Sequence, residues 1–309
     1  MGLCYRMLGS VHDAEDAVQE TLTKAHLAFA RFDPSRGRLS TWVHQIATNH
    51  CLDMLRSAER RVIVPDMPDA TSGSDLGEPR STATWIEPIP ISRVEIVGDP
   101  ADKLVSRESV RLAFLAALQV LPPRQRAVLI LRDVLAYSAG ETAEALDATV
   151  AAVTSALQRA RKTMEQCRFD RDEFRDKADP ATAELVHKFV SAFEAHDAQK
   201  LAKLLHDHAV LSMPPFAWAM RGGLRIAQQM AEPGSPCAGA RLISCDVNGG
   251  VGLGHYRPDG VKCLRPFALM TIEAEGNRIS RIVTFLGTGG RFVEFGLPAF
   301  LSSEEQLWA

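Results

Sequence analysis

Apolar positions recur every three or four residues through the first sixty positions and again from Leu104 to Met164. After Ala195 they give way to short runs with a period nearer two. The first rhythm is that of amphipathic helices, the second that of half-buried strands. Between the two helical stretches, Val64 to Asp102 follows neither period and is rich in Pro, Gly, Ser and acidic residues, so it reads as a linker. In the first stretch, Asp13, Glu15 and Asp16 open a helix where carboxylates oppose the dipole favourably. Val18 and Leu22, four residues apart, are expected to be buried, leaving Asp16, Gln19 and Glu20 outside. After the Phe32-Asp33-Pro34 break, a second helix runs from Leu39 toward Arg60 and Arg61. On a helical wheel Asn49, Asp53, Arg56 and Arg60 form one polar stripe with Trp42 close to it, a combination suited to unstacked bases and their phosphates.

The stretch from Leu121 to Met164 has its own punctuation. Pro122-Pro123 ends one helix and starts the next, whose apolar face is Val128, Leu129, Leu131, Val134 and Leu135. Ser138 with Glu141 spells a capping box, Asp147-Ala148 a tight turn, and Thr149 a cap for the last helix. Val150, Val153 and Leu157 are expected inside that helix, with Ala152, Ser155, Arg159 and Lys162 on another face. This is the layout of a helix-turn-helix, whose last helix enters the major groove. By itself it fits an amphipathic helical hairpin equally well.

Beyond a charged hinge, helices are expected over 181–195 and 198–205, a strand over 209–213, a helix over 224–230, and strands over 241–247, 251–256, 267–273 and 279–285. The Glu275-Gly276-Asn277 turn makes the last two a hairpin. Helices followed by a curved antiparallel sheet indicate an α+β domain. His206, Asp207, His208, Trp218 and His255 are its chemical candidates. His206 and His208 are expected at a helix-to-strand joint where solvated polar residues are routine, and Asp197 is expected to end a helix. Without a paired acid and base, catalysis, a metal and a cofactor are not expected.

Composition narrows the setting. A net charge of −3 suits a chain that meets DNA together with a partner better than one that binds it alone. The six cysteines have no metal-ligand spacing, which points to reduced thiols. No leader peptide or membrane-length apolar run stands out, so a cytoplasmic protein without a membrane partner is expected.

Taken together, the blocks CYRMLGSVHDAEDAVQETLTKA, LSTWVHQIATNHCLDMLR and LPPRQRAVLILRDVLAYSAGETAEALDATVAAVTSALQRARKTM closely resemble the extracytoplasmic-function class of bacterial sigma-70 factors. The first two match region 2 of that family and the third region 4. The resemblance implies core RNA polymerase and promoter DNA as partners and leaves an anti-sigma factor unspecified. It implies that Asp13, Asp16, Gln19 and Glu20 dock on the polymerase clamp. Trp42, Asn49, Arg56, Arg60 and Arg61 would hold the −10 element, and Thr149, Ser155, Arg159, Arg161 and Lys162 the −35 element. Family members carry further helix before CYRML, so part of the first region 2 helix is expected to be missing from this sequence. Trp85-Ile86-Glu87-Pro88 resembles the Trp-Leu-Glu-Pro box of a subgroup with an extra C-terminal domain. The AFEAHD, MPP and RGG segments resemble the SnoaL-like branch of the nuclear-transport-factor-2-like cones, which can enclose a small apolar ligand. Trp85, Pro88, Phe295 and Leu297 are expected to dock that domain on the sigma core.

The expected chain is therefore multidomain: two all-α sigma domains and a C-terminal α+β cone-shaped barrel. Residues 1–63 form region 2, 64–103 an acidic linker, 104–168 region 4, 169–180 a hinge, 181–298 the cone and 299–309 a tail. Its function would be promoter recognition in transcription initiation, regulated by the cone. A ligand-sensing helix-turn-helix regulator or a cyclase-like or isomerase-like enzyme are the alternatives.

Overall fold

The computed structural model describes residues 1–35, 37–57, 76–79, 85–95, 104–105, 107–166, 180–260 and 263–302. The chain divides into two compact units, Met1–Val62 with Thr82–Phe169, and Ile63–Ser81 with Asp170–Ala309.

In the first unit, α1 (Gly2–Leu8) is buried from Leu3 to Leu8 and ends at Gly9, whose φ of 71° is the left-handed cap that glycine adopts without cost. α2 (Val11–Ala28) starts at Ser10, whose hydroxyl accepts from the Asp13 amide. Its buried stripe is Val11, Ala14, Ala17, Thr21 and Ala25. This corrects the expectation for Val18 and Leu22: Val18 is half-buried and Leu22 is 58% exposed. Small side chains let α1 and α3 (Leu39–Ser57) approach α2 closely, so the helix turns its larger apolar residues outward.

α4 (Leu112–Val120) is almost wholly buried, and α5 (Pro123–Leu129) begins on the predicted proline. The expected helix through Leu135 is not uniform: Ile130–Val134 widens into a π turn closed by the Leu135 amide on the Ile130 carbonyl. α6 (Ala139–Ala145) has the complete Ser138–Glu141 capping box, and Asp147 makes the turn at φ 47°. α7 (Val150–Gln166) buries Val153, Leu157, Ala160 and Met164. Val150, expected inside, is 51% exposed, because it stands in the first position of the helix, at the open end of that stripe.

The second unit begins with α8 (Pro180–Glu194) and α9 (Ala198–Leu204), the latter capped by Asp197 through the Lys200 amide. There follow β1 (Leu205–Ser212), β2 (Ala219–Arg221), α10 (Gly223–Ala231), β3 (Arg241–Val247), β4 (Gly250–Pro258), β5 (Cys263–Glu275), β6 (Arg278–Leu286) and β7 (Leu301–Ser302). The sheet order is β2-β1-β6-β5-β4-β3, with β7 on β5. It is mixed rather than antiparallel, because β1 runs parallel to β6 after the long excursion through α10 and four strands. β1 also starts four residues earlier than expected, so His206, Asp207 and His208 belong to the strand. Phe189, Phe193, Ile226, Leu253, Met270 and Ile282 form the middle of the core under the helices, and Leu76 of the linker packs against it. Pro79 bridges to Phe216 beside that contact.

Candidate nucleic-acid and protein interfaces

Three faces of the first unit carry the expected site residues. On α2, Asp16, Gln19 and Glu20 are exposed and Asp13 is half-buried, in a row opposite the alanine stripe. Their ion pairs are local and solvent-exposed: His12 with Asp16 at 3.6 Å and Lys24 with Glu20 at 3.3 Å. Such pairs contribute about 0–1 kcal/mol and yield readily to a partner. The same helix exposes Leu22 and Leu27, at 58% and 78%, so the acidic row adjoins apolar surface.

A side chain from the linker holds the start of this helix. Glu87 Oε2 accepts from the Ser10 hydroxyl at 2.9 Å, the Val11 amide at 2.6 Å and the His12 amide at 3.3 Å. The Glu87 amide donates to the Gly9 carbonyl at 3.0 Å, and the Tyr5 hydroxyl donates to the Glu87 carbonyl at 2.6 Å. The carboxylate thus sits where orphan amides and the helix dipole favour a negative charge. Arg93 pairs with Glu15 farther along the same strap. Ile86 and Ile89 are buried, Pro88 is buried and Trp85 is half-buried. Sequence reasoning singled out this box but not its glutamate as a remote cap, since nothing local signals a contact 77 residues away.

On α3, Asn49, Asp53 and Arg56 are exposed, with Arg56 paired to Asp53 at 2.9 Å. Trp42 is half-buried and lies 5.3 Å from the Phe32 ring. Arg60 and Arg61 lie outside the described residues. The N-terminal half of the helix touches the helix-turn-helix: His44 Nδ1 lies 2.7 Å from the Tyr137 hydroxyl, and Gln45 Nε2 donates to the Glu144 carbonyl at 3.3 Å. Burial pushes the His44 pKa below its ordinary value, so the ring is neutral there. A cleft of about 370 Å³ beside Trp42 is bordered by Phe32, Arg38 and Gln45 on one side and by Glu144 and Ala145 on the other.

On α7, Thr149 caps the helix by accepting from the Ala152 amide at 3.1 Å. Ser155, Arg159 and Lys162 are exposed, and no ion pair engages Arg159 or Lys162 among the described residues. Arg161 differs. Its Nε and Nη2 grip the Asp133 carboxylate at 3.0 and 2.7 Å, which raises its pKa further and fastens α7 to the π turn.

In the second unit, His255 is 3% exposed and lies against Phe193 and Phe267, at 5.5 and 5.1 Å between ring centroids. Among the described residues neither ring nitrogen has a hydrogen-bond partner, and burial pushes the pKa down to about 3. The Trp218 indole nitrogen and the Thr284 hydroxyl are likewise buried without a partner. Leu297 packs so closely on β4 that a Cβ on Gly254 would come within 2.5 Å of it. Phe295 is buried in the same domain, with the Arg291 guanidinium 5.7 Å from its ring. No helix among the described residues is long and apolar enough to cross a membrane.

The sigma-70 region 2 family matches residues 1–61 and the sigma-70 region 4 family residues 111–164. The chain is 40% identical over 303 residues to the ECF RNA polymerase sigma factor SigG of Mycobacterium tuberculosis, covering 96% of this chain and 80% of that protein. It is 29% identical over 239 residues to SigJ of the same organism, covering 74% of this chain and 67% of SigJ. The crystal structure of Mycobacterium tuberculosis SigJ has the same fold, with a TM-score of 0.59 at 23% identity over 96% of both chains. With both sigma regions in order and this relationship running through the C-terminal domain, the chain belongs to the extracytoplasmic-function sigma factors, which direct RNA polymerase in transcription initiation.

Proposed function

We propose that this sigma factor docks on core polymerase through Asp13, Asp16, Gln19 and Glu20, with Leu22 as their apolar neighbour. It reads the −35 element through Ser155, Arg159 and Lys162, and holds the −10 element through Trp42, Asn49 and Arg56, continued by Arg60 and Arg61. Thr149 shapes the recognition helix, and Arg161 acts through Asp133 as a positioning residue. The observation that carries this reading is the exposed basic face of α7, whose Arg159 and Lys162 are engaged by no ion pair among the described residues. Guanidinium and ammonium groups at that position suit guanine edges and phosphates.

The first unit, as observed, is a resting form. Elements named −10 and −35 lie about 25 base pairs apart, or roughly 85 Å along B-form DNA. His44 and Tyr137, one from each DNA-facing half, are in hydrogen-bond contact at 2.7 Å. Both halves cannot engage their elements while that contact persists, so polymerase binding must separate them. The work is done in the cytoplasm, where polymerase and promoter are.

The C-terminal domain acts as a regulator and not as an enzyme. Leu76 and Pro79 tie the linker into it, while Glu87 ties the same linker to α2, so the linker is held at two points in sequence. His255 has aromatic neighbours and no carboxylate to orient it as a base. The effector in this reading is a small, mainly apolar ligand with one donor group, in keeping with the unpartnered polar atoms of His255, Trp218 and Thr284.

Multi-round transcription with core polymerase tests the reading. Arg159→Ala and Lys162→Ala are expected to lower specific transcripts about 10-fold or more, in line with ~1–3 kcal/mol per major-groove contact. Polymerase binding should be untouched. Full transcription from the double variant would refute the assignment of α7.

A further inference from the structure

We propose that the C-terminal domain carries a divalent transition-metal site, for zinc foremost, formed by His206, His208 and Glu275. The two histidines lie one dyad step apart on β1 with ring centroids 3.8 Å apart. Glu275 arrives from the end of β5, and its Oε2 lies 3.1 Å from His208 Nε2. The three donor atoms fall within 4.8 Å of one another, close to what one cation can span.

The backbone accounts for the meeting. β1 pairs with β6 at Leu205↔Ile279 and resumes at Val210↔Arg281, so five steps on β1 oppose two on β6. The extra residues form a bulge opposite the β5–β6 hairpin, whose turn is made by Gly276 at φ 59°. Bulges re-aim side chains and are frequent beside functional sites. This one sends Ala209 into the core and leaves His206 half-buried and His208 exposed. Asp207, 94% exposed, pairs with Arg278 at 3.8 Å and is not among the three donors. His206 Nδ1 is shielded from solvent and has no hydrogen-bond partner among the described residues, which leaves a buried imidazole nitrogen at this corner.

The donor set selects the ion. Two imidazole nitrogens and one carboxylate oxygen form the three-ligand set of open zinc sites, with water in the fourth position. Magnesium and calcium demand more oxygen ligands than this corner offers. A His208–Glu275 ion pair without metal would also explain the 3.1 Å contact, and the experiment separates the two.

The full-length protein, stripped with chelator and reduced, is titrated with Zn²⁺ by calorimetry and with Co²⁺ by visible absorption. One equivalent should bind, with four-coordinate cobalt bands and no sulfur-to-cobalt charge transfer. His208→Ala and Glu275→Gln should each weaken binding at least about 100-fold, since even hydrogen-bond partners of zinc ligands carry roughly 10–100-fold. Asp207→Ala should leave it unchanged. These residues are partly exposed, so circular dichroism should be unaltered. The proposal is overturned by absence of uptake in the wild type. A thiolate band, or binding that survives a His206→Ala/His208→Ala double substitution, would overturn it equally, by moving the metal to the cysteines.

Discussion

The two units bury polar groups in opposite ways. In the helical unit, buried polar side chains join segments far apart in sequence. Arg6 donates from Nε to the Ser109 hydroxyl at 2.9 Å, Arg126 donates to the Met7 carbonyl and to Gln119 Oε1 at 2.5 and 2.7 Å, and Glu87 caps α2. In the cone, polar joins such as the Tyr256 hydroxyl on the Pro298 carbonyl at 2.7 Å and the Leu242 amide on Glu194 at 2.9 Å accompany an apolar core, in which His255, Trp218 and Thr284 present polar atoms without partners among the described residues. A hydrogen bond contributes only about 1 kcal/mol net, because water or another partner can replace it. The helical unit can therefore open and exchange its contacts for polymerase and DNA. The cone keeps its unpaired groups inside an apolar core.

The sharpest way to break this contrast is Arg126→Ala. Arg126 is 4% exposed, and its guanidinium serves carbonyls of Met7, Gln119 and Leu121. Removal strands buried acceptors at about 1–3 kcal/mol each, so a loss of about 3 kcal/mol or more is expected in chemical denaturation. A loss under about 1 kcal/mol would mean that apolar packing closes this unit as it closes the cone.

The cone has a pH signature instead. The His255 pKa is pushed down to about 3 by burial, while the unfolded chain takes up that proton near the ordinary value of about 6.5. The folded state binds fewer protons through this window, so stability is complete above pH ~6.5 and falls as pH drops toward about 3. The slope is about 1.4 kcal/mol per pH unit, or about 2.7 kcal/mol lost at pH ~4.5. His255→Gln should flatten that part of the curve. If wild type and variant fall in parallel, the ring is not held neutral. A ligand that pairs His255 would raise the cone's stability at every pH in the window.

Glu87→Ala should cost about 2 kcal/mol, since it strips an acceptor from two amides and a hydroxyl at the start of α2. Polymerase affinity should fall with it, because Asp13 and Asp16 stand in the first turns that Glu87 orders. Glu87→Gln keeps an acceptor and should cost less. Equal affinity for all three proteins would separate the strap from docking.

Both units were legible wherever the signal was local. The Ser138–Glu141 box, the Asp147 turn and the strand at Arg241–Val247 were readable because their partners lie within a few residues or follow a simple period, whereas Asp197, expected to end a helix, caps the start of the next. Leu22 misled because periodicity counts apolar residues, whereas the close approach of α1 and α3 selected Ala14 and Ala17. Val150 misled because the first helical position obeys the cap rather than the stripe. The Glu87 cap, the parallel β1–β6 pair and the arrival of Glu275 beside His208 all depend on contacts 67 or more residues apart. Sequence periodicity holds no record of those.

The mildest change is the most informative about opening. Tyr137→Phe deletes one hydroxyl, the partner of His44 across the two DNA-facing halves, and leaves the aromatic ring 6.0 Å from the imidazole in place. The net cost is about 1 kcal/mol, which by mass action is a factor of about five in the closed-to-open ratio. If closure competes with promoter engagement, the variant should transcribe up to about five times more at limiting polymerase while melting slightly earlier. A variant that melts earlier and transcribes no better would mean that the His44–Tyr137 contact persists on the promoter, and that the halves separate about some other seam. The two readouts move in opposite directions only for a contact that must break for function, which distinguishes a latch from ordinary packing.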